Sequence, residues 1–307
     1  MKINFSQILT PEENLSLAFR SLYSEYGYVH YRMSKFEEYD LYSKNKDFLV
    51  SDNLITFTDT DGRLLALKPD VTLSIIKNTK DSETGLLKVY YDENVYRVSK
   101  NTHSFREIKQ SGIECIGDVD ESALCEVLTL AKKSLDAVSS DNVLEISHID
   151  IVSGVLTALG AGESLRKDIF RFLSEKNVKE AMEAAVREGI SPERAKLISD
   201  LVLLHGTPER VLPELDKFAL TDEVALAVSE LRGVVSRLGG LDNVKIDFSV
   251  INNTSYYNGI AFRGYVGGVP SAVLLGGQYD EMMKRMKRRS RAVGFAVYLD
   301  DLAKLDR

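Results

Sequence analysis

The stretch KVYYDENVYRVSKNTHSFREIKQSGIECIG, from Lys88 to Gly117, predicts two strands joined by a polar loop. Successive side chains of a strand point to opposite faces, so Arg106, Gln110 and Glu114 would share one face of the second strand. Gly112 lies among them and leaves room for another group to approach the backbone. Ionisable side chains on a buried sheet face are costly unless they pair or bind something. Two interpretations stay open from this stretch alone, a solvated sheet face and a binding site.

The composition is that of an ordinary globular protein. Hydrophobic residues make up 44% and charged residues 28% of the 307, and the net charge of −7 disfavours a general nucleic-acid binder. The N-terminus has no apolar signal region, and no stretch approaches the roughly 18 apolar residues of a membrane span. Cys115 and Cys125 lack metal-binding spacing, and the four histidines form no HxxxH or HExxH pattern. We therefore expect a cytoplasmic protein with reduced thiols, no metal and no other cofactor.

Three segments of the chain differ in their periodicity. Residues 1–159 combine helix starts, such as Thr10-Pro11, with short strand-like runs. Residues 160–240 carry apolar side chains at helical spacing, and Ser191-Pro192 begins one of the helices. The strand pattern returns in residues 241–307. These patterns predict an α+β domain, built from the first and last segments, that is interrupted by a small all-α domain.

Six motifs, in this order along the chain, resemble the catalytic domain of the class II aminoacyl-tRNA synthetases, specifically its histidyl branch. They are FEEYDLY at 36–42, LKPDVT at 67–72, the hairpin from Tyr96-Arg97 to Gly117, SYYNG at 255–259, GGQYD at 276–280 and AVGFA at 292–296. The resemblance implies the class II fold, an antiparallel sheet flanked by helices, with a helical insertion where this chain has one.

The resemblance also implies a pocket for histidine. We predict that the pocket is built from Asp70, Thr72, Arg97, Gln110, Glu114, Tyr256 and Tyr257. An α-ammonium pairs with carboxylates and hydroxyls, and an imidazole pairs with a carboxylate and an aromatic wall. Asp70 is one methylene shorter than the family's glutamate. An inherited polar core that pairs with itself is the alternative interpretation.

Several departures from the family pattern predict that aminoacylation is lost and that no catalytic residue remains. Ser99 stands where the family reads adenine with a glutamate, and Asn252 where an arginine activates the carboxylate. Asp300 and Asp301 align with an arginine that grips the ATP triphosphate. A carboxylate there replaces attraction with repulsion of about 1–4 kcal/mol per charge pair at ~4 Å, and the guanidinium fork is lost. The alternative is a slipped alignment, in which the basic run at 284–291 supplies the missing charge.

The chain ends at Arg307, soon after the third motif, so we expect no anticodon-binding domain. This combination is similar to the family of ATP phosphoribosyltransferase regulatory subunits, which are paralogues of histidyl-tRNA synthetases. The resemblance implies a hetero-oligomer with the short-form catalytic subunit, a homodimer of this chain within it, and a non-catalytic role in the first step of histidine biosynthesis with feedback by histidine. Ser34, which replaces an interface proline of the family, leaves the homodimer geometry open. Two rivals are a truncated ligase that still activates an amino acid and an RNA-binding module.

The basic run KRMKRRSR at 284–291 has three interpretations. Six cations in eight residues cannot all face one side of a helix, so a solubilising helix surface is the first. A docking site for phosphate or for an acidic catalytic subunit is the second, and residual RNA contact is the third.

Overall fold

The computed structural model describes residues 8–49, 53–81, 85–99, 102–251, 256–302 and 305. The strands are β1 (Val29–His30), β2 (Phe36–Glu38), β3 (Thr56–Thr58), β4 (Leu64–Leu67), β5 (Leu86–Val98), β6 (Phe105–Gly117), β7 (Asn142–His148), β8 (His205–Gly206), β9 (Val244–Asp247), β10 (Asn258–Val266), β11 (Leu274–Gln278) and β12 (Arg291–Tyr298). The α-helices are α1 (Pro11–Glu25), α2 (Tyr39–Ser43), α3 (Thr72–Asn78), α4 (Glu121–Val138), α5 (Ile149–Ala158), α6 (Glu163–Ser174), α7 (Val178–Arg187), α8 (Pro192–Leu203), α9 (Pro208–Val211), α10 (Asp222–Arg237), α11 (Asp280–Arg285) and α12 (Leu299–Leu302). Short 3-10 helices cover Lys46–Phe48 and Leu212–Phe218.

The predicted α+β fold is confirmed, and its centre is a nine-stranded sheet. The strand order is β1-β5-β6-β12-β11-β10-β7-β9-β8, and the six consecutive strands from β5 to β7 pair antiparallel. Strands β1 and β5, and likewise β7 and β9, run parallel, so the sheet is mixed. Strands β5 and β6 form the hairpin that the opening stretch predicts. Arg97 lies opposite Arg106, and Val89 opposite Glu114, so the polar residues share one face as expected.

The other face of the large sheet is covered by helices. Helix α1 begins with a capping box, in which the backbone N–H of Glu13 donates to the Thr10 hydroxyl and the Thr10 N–H to the Glu13 carboxylate. From this start the helix buries Phe19 and Tyr23, and the Tyr23 ring meets Phe295 of β12 edge-on, 6.0 Å between centroids. Helices α4, α5 and α10 extend the same layer across the remaining strands. This face is the main hydrophobic core.

A second, smaller layer covers the polar face. Strands β2, β4 and β3 form a three-stranded antiparallel sheet, in which a turn containing Asp61-Gly62 joins β3 to β4. Helix α3 and helix α11 complete this layer, which buries Tyr42, Leu73 and Met282 against β5. Between this layer and the large sheet a gap remains, and the candidate site occupies it.

The segment 160–240 is largely helical, as its periodicity predicts, but its apolar residues join the main core. Leu231 of α10 is fully buried in the same hydrophobic cluster as Leu128 of α4 and Ile146 of β7. The segment also contributes β8, which pairs with β9 at the edge of the sheet. The division at 160 and 240 stays a prediction.

Candidate functional site

A cavity of about 210 Å³ lies on the polar face of the large sheet. All seven residues that the sequence predicts for a histidine pocket line it: Asp70, Thr72, Arg97, Gln110, Glu114, Tyr256 and Tyr257. They come from the segment before α3, from α3 itself, from the β5–β6 hairpin and from the residues before β10. The fold therefore brings together side chains that are far apart in the sequence.

Small residues on adjacent strands lie beneath the cavity, and Gly294 is the glycine that lines it. Gly294 lies opposite Glu114 on one side and Gly277 on the other, and Gly112 lies two residues before Glu114 in β6. A Cβ on Gly294 would come within 3.0 Å of the Glu114 carboxylate, and one on Gly277 would lie 2.7 Å from the Tyr257 ring. Glycine at 294 therefore leaves room for Glu114, and glycine at 277 leaves room for the Tyr257 ring.

Glu114 is the most deeply placed acid of the cavity. Its side chain is 2% exposed, and its two carboxylate oxygens accept hydrogen bonds from the Thr72 hydroxyl and the Tyr279 hydroxyl, each at 2.6 Å. Burial, with a smaller contribution from the nearby Asp70, raises the pKa of Glu114 to about 8, although both hydrogen bonds act in the opposite direction. Glu114 therefore carries a proton at neutral pH.

Asp70 and Arg97 hold the segment that leads into α3. The Asp70 carboxylate accepts the backbone N–H of Leu73 at 2.8 Å, and Arg97 Nε donates to the Pro69 carbonyl at 3.1 Å. Burial raises the pKa of Asp70, while the Leu73 N–H and the Arg97 guanidinium oppose that rise. The cavity therefore contains one acid with a cation nearby and one acid without.

Tyrosine rings form the wall opposite the sheet. The Tyr256 ring lies 4.5 Å from Tyr257 and 6.0 Å from Tyr279, centroid to centroid. Burial holds the pKa values of all three hydroxyls well above their usual range, so the rings stay neutral donors.

Three tyrosines of the lining were not predicted as site residues. Tyr279 lies within the GGQYD motif. That motif predicts a turn, but it does not indicate that the Tyr279 hydroxyl contacts Glu114. Tyr91 and Tyr298 lie opposite Gly112 and Gln110 in the strand register. The alternation within β5 could have indicated Tyr91, whereas Tyr298 depends on the pairing of β12 with β6.

The departures from the synthetase pattern lie outside the lining of the cavity where the structure describes them. The hydroxyl oxygen of Ser99 accepts the Thr102 N–H at 3.3 Å within the β5–β6 turn. Asp300 and Asp301 lie in α12, where Asp300 accepts the Lys109 N–H at 3.3 Å and burial raises its pKa. Asn252 lies outside the described residues.

The expectation that the basic run forms a helix is wrong beyond Arg285, where α11 ends. Lys287 adopts φ 59°, in the left-handed region, and Arg291 begins β12. Acidic residues outside the run hold the turn between Lys287 and Arg291. Arg288 pairs with Asp81 at 2.7 Å, and Arg291 pairs with Asp280 at 3.1 Å. Two of the six cations of the run, Arg288 and Arg291, therefore help to hold the turn in place.

The described residues lack two features of other protein classes. No group of three His, Cys, Asp or Glu side chains is placed to ligate a metal ion there. No helix in the described part of the chain has the length and apolar character needed to cross a membrane.

The helix-covered sheet with its cavity on the opposite face is the fold of class II aminoacyl-tRNA synthetases. Residues 9–302 match the family model for histidyl-tRNA synthetase. A relative from Caldanaerobacter subterraneus subsp. tengcongensis, named ATP phosphoribosyltransferase regulatory subunit, is 31% identical over 306 residues, which cover 96% of this chain and 79% of the relative. The chain therefore belongs to the histidyl-tRNA synthetase family, in its branch of ATP phosphoribosyltransferase regulatory subunits.

Solved structures agree with this assignment. The chain is similar to an ATP phosphoribosyltransferase regulatory subunit/histidyl-tRNA synthetase from Bacillus halodurans, with a TM-score of 0.85, 27% identity and coverage of 95% of this chain and 78% of that one. It also shares its fold with a chain of the ATP phosphoribosyl transferase (HisG:HisZ) complex from Thermotoga maritima. The TM-score there is 0.72 at 19% identity, with 97% of both chains covered.

Proposed function

We propose that this chain is the non-catalytic regulatory subunit of an ATP phosphoribosyltransferase and that it works in the cytoplasm in a hetero-oligomer with the short-form catalytic subunit. The observation that carries the proposal is the match to regulatory subunits over nearly the whole chain. The complex from Thermotoga maritima, which contains a chain of the same fold, supports the partnership. The role belongs to the first step of histidine biosynthesis.

Histidine is the ligand that the cavity suits best. An α-ammonium needs a carboxylate, which Asp70 provides, and an α-carboxylate needs a cation, which Arg97 provides at the same end. An imidazole needs a carboxyl group and flat aromatic neighbours, which Glu114 and the tyrosine wall provide at the other end. Feedback follows if the bound and empty forms favour different arrangements of the assembly, with a coupling of typically 1–3 kcal/mol.

Loss of amino-acid activation is part of the same proposal. Adenylate formation needs positive groups where charge develops on the phosphates. Asp300 and Asp301 bring negative charge to the segment that carries an arginine in the synthetases, and Asp300 bonds to the backbone of Lys109. Pyrophosphate exchange with ATP and histidine is expected to show no turnover, and clear turnover would favour the truncated ligase instead.

Co-expression with a short-form catalytic subunit tests the partnership. We expect the two chains to co-purify, and the complex to make phosphoribosyl-ATP faster than the catalytic subunit alone. Histidine is expected to inhibit the complex. If the chains do not associate and the rate is unchanged by adding this chain, the proposed role is wrong.

A homodimer within the assembly is supported by an apolar surface on the three-stranded sheet. Phe36 and Phe57 are 46% and 39% exposed, and their rings meet at right angles, 5.6 Å apart. By the strand register, Leu65 and Leu67 lie on the same outward face. Contiguous exposed apolar side chains of this kind mark interaction sites.

Phe57→Glu should weaken that homodimer, because a charge would have to be buried among apolar side chains. We expect sedimentation velocity to show the mass of one chain at concentrations where the parent chain sediments as two. Phe105→Glu is the matched control, since Phe105 is 74% exposed at the start of β6, and it should leave the mass unchanged. Equal masses for Phe57→Glu and the parent would place the interface elsewhere.

A further inference from the structure

We propose that histidine bound in the cavity shares one proton between its imidazole and Glu114. The inference rests on the proposed histidine site and adds to it the protonation state of the complex. It makes Glu114 the residue that selects a basic side chain over other flat side chains of similar size.

The first support is the isolation of Glu114 from positive charge. No described lysine or arginine forms an ion pair with it, and its two hydrogen-bond partners, Thr72 and Tyr279, are neutral hydroxyls. A buried carboxylate that lacks a counter-charge is strongly disfavoured, so the group must hold a proton or meet a cation. The empty cavity leaves the proton on Glu114, and a ligand that brings a base or a cation changes that state.

The second support is that few other groups around Glu114 titrate in the same range. Asp70 faces it from the segment before α3, and Arg97 faces the cavity from β5. The remaining titratable neighbours are Cys115, which follows Glu114 in β6, and five tyrosines of the lining: Tyr91, Tyr256, Tyr257, Tyr279 and Tyr298. Burial raises the pKa of the Cys115 thiol to about 12, and it holds the pKa values of Tyr91, Tyr256, Tyr257 and Tyr279 well above their usual range.

The third support is the chemistry of the pair. A neutral imidazole accepts a hydrogen bond from a carboxylic acid, and an imidazolium donates one to a carboxylate. Both descriptions contain one proton between the two groups, so the complex is the same species whichever group holds it. A side chain without a basic nitrogen cannot accept the proton of the carboxylic acid. It therefore leaves the buried Glu114 carboxyl group without a hydrogen-bond partner from the ligand.

Counting protons gives the pH dependence. The imidazole of free histidine has a pKa of about 6.5 and the empty site has a carboxyl pKa of about 8, so between these values the two partners already hold one proton in total. Below about pH 6.5 they hold two protons and one must leave on binding. Above pH 8 they hold none and one must be taken up. Affinity should therefore be level between these limits and fall about tenfold per pH unit on either side.

Isothermal titration calorimetry with histidine, in pairs of buffers that differ in ionisation enthalpy, measures the protons exchanged. We expect release of most of a proton at about pH 5.6, almost no exchange at about pH 7.2 and uptake of most of a proton at about pH 8.7. The titrations use the full chain, alone and in complex with the catalytic subunit.

Two variants separate the role of Glu114 from general effects. Glu114→Gln should reduce proton uptake at about pH 8.7 to the minor share that the α-amino group of free histidine contributes, while release at about pH 5.6 remains because the imidazole still titrates. Glu107→Gln is the matched control, since Glu107 lies on the same strand, on the opposite face and exposed to solvent. It should keep the parent pattern at every pH.

The outcomes distinguish a failure of the proposed histidine site from a failure of the shared proton. If histidine gives no heat at any pH, with or without the catalytic subunit, the proposed histidine site itself is wrong. If histidine binds but no proton is taken up at about pH 8.7, the shared proton is excluded and the histidine site stands. A Glu114→Gln chain that fails to fold would not weaken the test, because uptake of most of a proton by the parent chain at about pH 8.7 exceeds the minor share that the α-amino group of free histidine can supply there.

Discussion

Glu114 and Gly294 lie opposite each other on two adjacent antiparallel strands. The position of the Glu114 side chain depends on the absence of a side chain at Gly294. The Glu114 carboxylate extends over Gly294 to reach the Tyr279 hydroxyl. A methyl group on Gly294 would also press on the backbone carbonyl of Ile113, which cannot move without disturbing the strand pair. The position of the Glu114 carboxylate is therefore set by the space that Gly294 leaves as much as by charge.

Gly294→Ala is therefore expected to lower histidine affinity at least tenfold and to cost about 1–3 kcal/mol of stability, the usual effect of overpacking. Calorimetry and urea unfolding measure the two effects. Gly162→Ala is the control, because a Cβ there meets nothing within 4 Å, and it should leave binding unchanged. Wild-type affinity in Gly294→Ala would show that Glu114 need not lie where the structure has it.

At the scale of elements, the turn between α11 and β12 shows how a run of like charges is folded. Asp81 accepts hydrogen bonds from the Arg288 guanidinium, the Arg289 N–H and the Ser290 hydroxyl. Arg288 also donates to the carbonyls of Ile76 and Thr79, at the end of α3. The turn is thereby joined to the helix whose first residue, Thr72, contacts Glu114. A solvated helix, as the sequence suggests, would make none of these contacts.

Asp81→Asn should destabilise the protein by about 1–2 kcal/mol at pH 7. Burial tends to raise the pKa of Asp81, but the three hydrogen bonds outweigh it and lower the pKa from 3.8 to about 2. A lowered folded pKa means that the stabilisation is present above the ordinary value and is lost as pH falls towards the folded one.

The difference between Asp81→Asn and the parent should therefore shrink between about pH 4 and pH 2 in urea unfolding. Asp40→Asn, which removes an exposed pair with Lys44, serves as the control and should change stability by less than about 0.5 kcal/mol. If Asp81→Asn lost the same free energy of unfolding at about pH 4 and at about pH 2, this explanation would be wrong.

At the scale of the whole molecule, one hydrophobic core joins the helical segment 160–240 to the sheet. Helix α10 packs on α4, α5 and β7, so its apolar side is buried by elements from outside the segment. The segment is therefore expected to unfold together with the sheet rather than as an independent unit.

Leu231→Ala tests this expectation. Leu231 is fully buried in α10, and its truncation should cost about 2–5 kcal/mol. Far- and near-ultraviolet circular dichroism should still report one coincident transition in urea. Leu226→Ala, on the same helix but 70% exposed, should change stability by no more than about 0.5 kcal/mol. Two separate transitions in Leu231→Ala would show that 160–240 folds as a domain of its own.

The sequence predicted those parts of the molecule that depend on neighbouring residues. The capping box before α1 and the shared face of Arg106, Gln110 and Glu114 follow from local periodicity, and the seven pocket residues follow from motifs that resemble a family. The sequence did not predict the contact of Tyr279 with Glu114 or the place of Gly294 beneath the cavity, because both depend on the pairing of β6 with β12 and of β12 with β11. The anchoring of Arg288 by Asp81 depends in the same way on residues that are distant in the chain.

Gly294 beneath the cavity has a consequence for how the site adapts to its contents. A base made of side chains can change its depth by rotamer exchange, but Gly294 has no rotamers, so the base at this point is as stiff as the strand ladder that carries it. Adjustment to the contents is left to the side chains around Gly294, which include Glu114, Tyr256 and Tyr257. We expect this arrangement to accept flat rings more readily than tetrahedral or branched groups of equal volume.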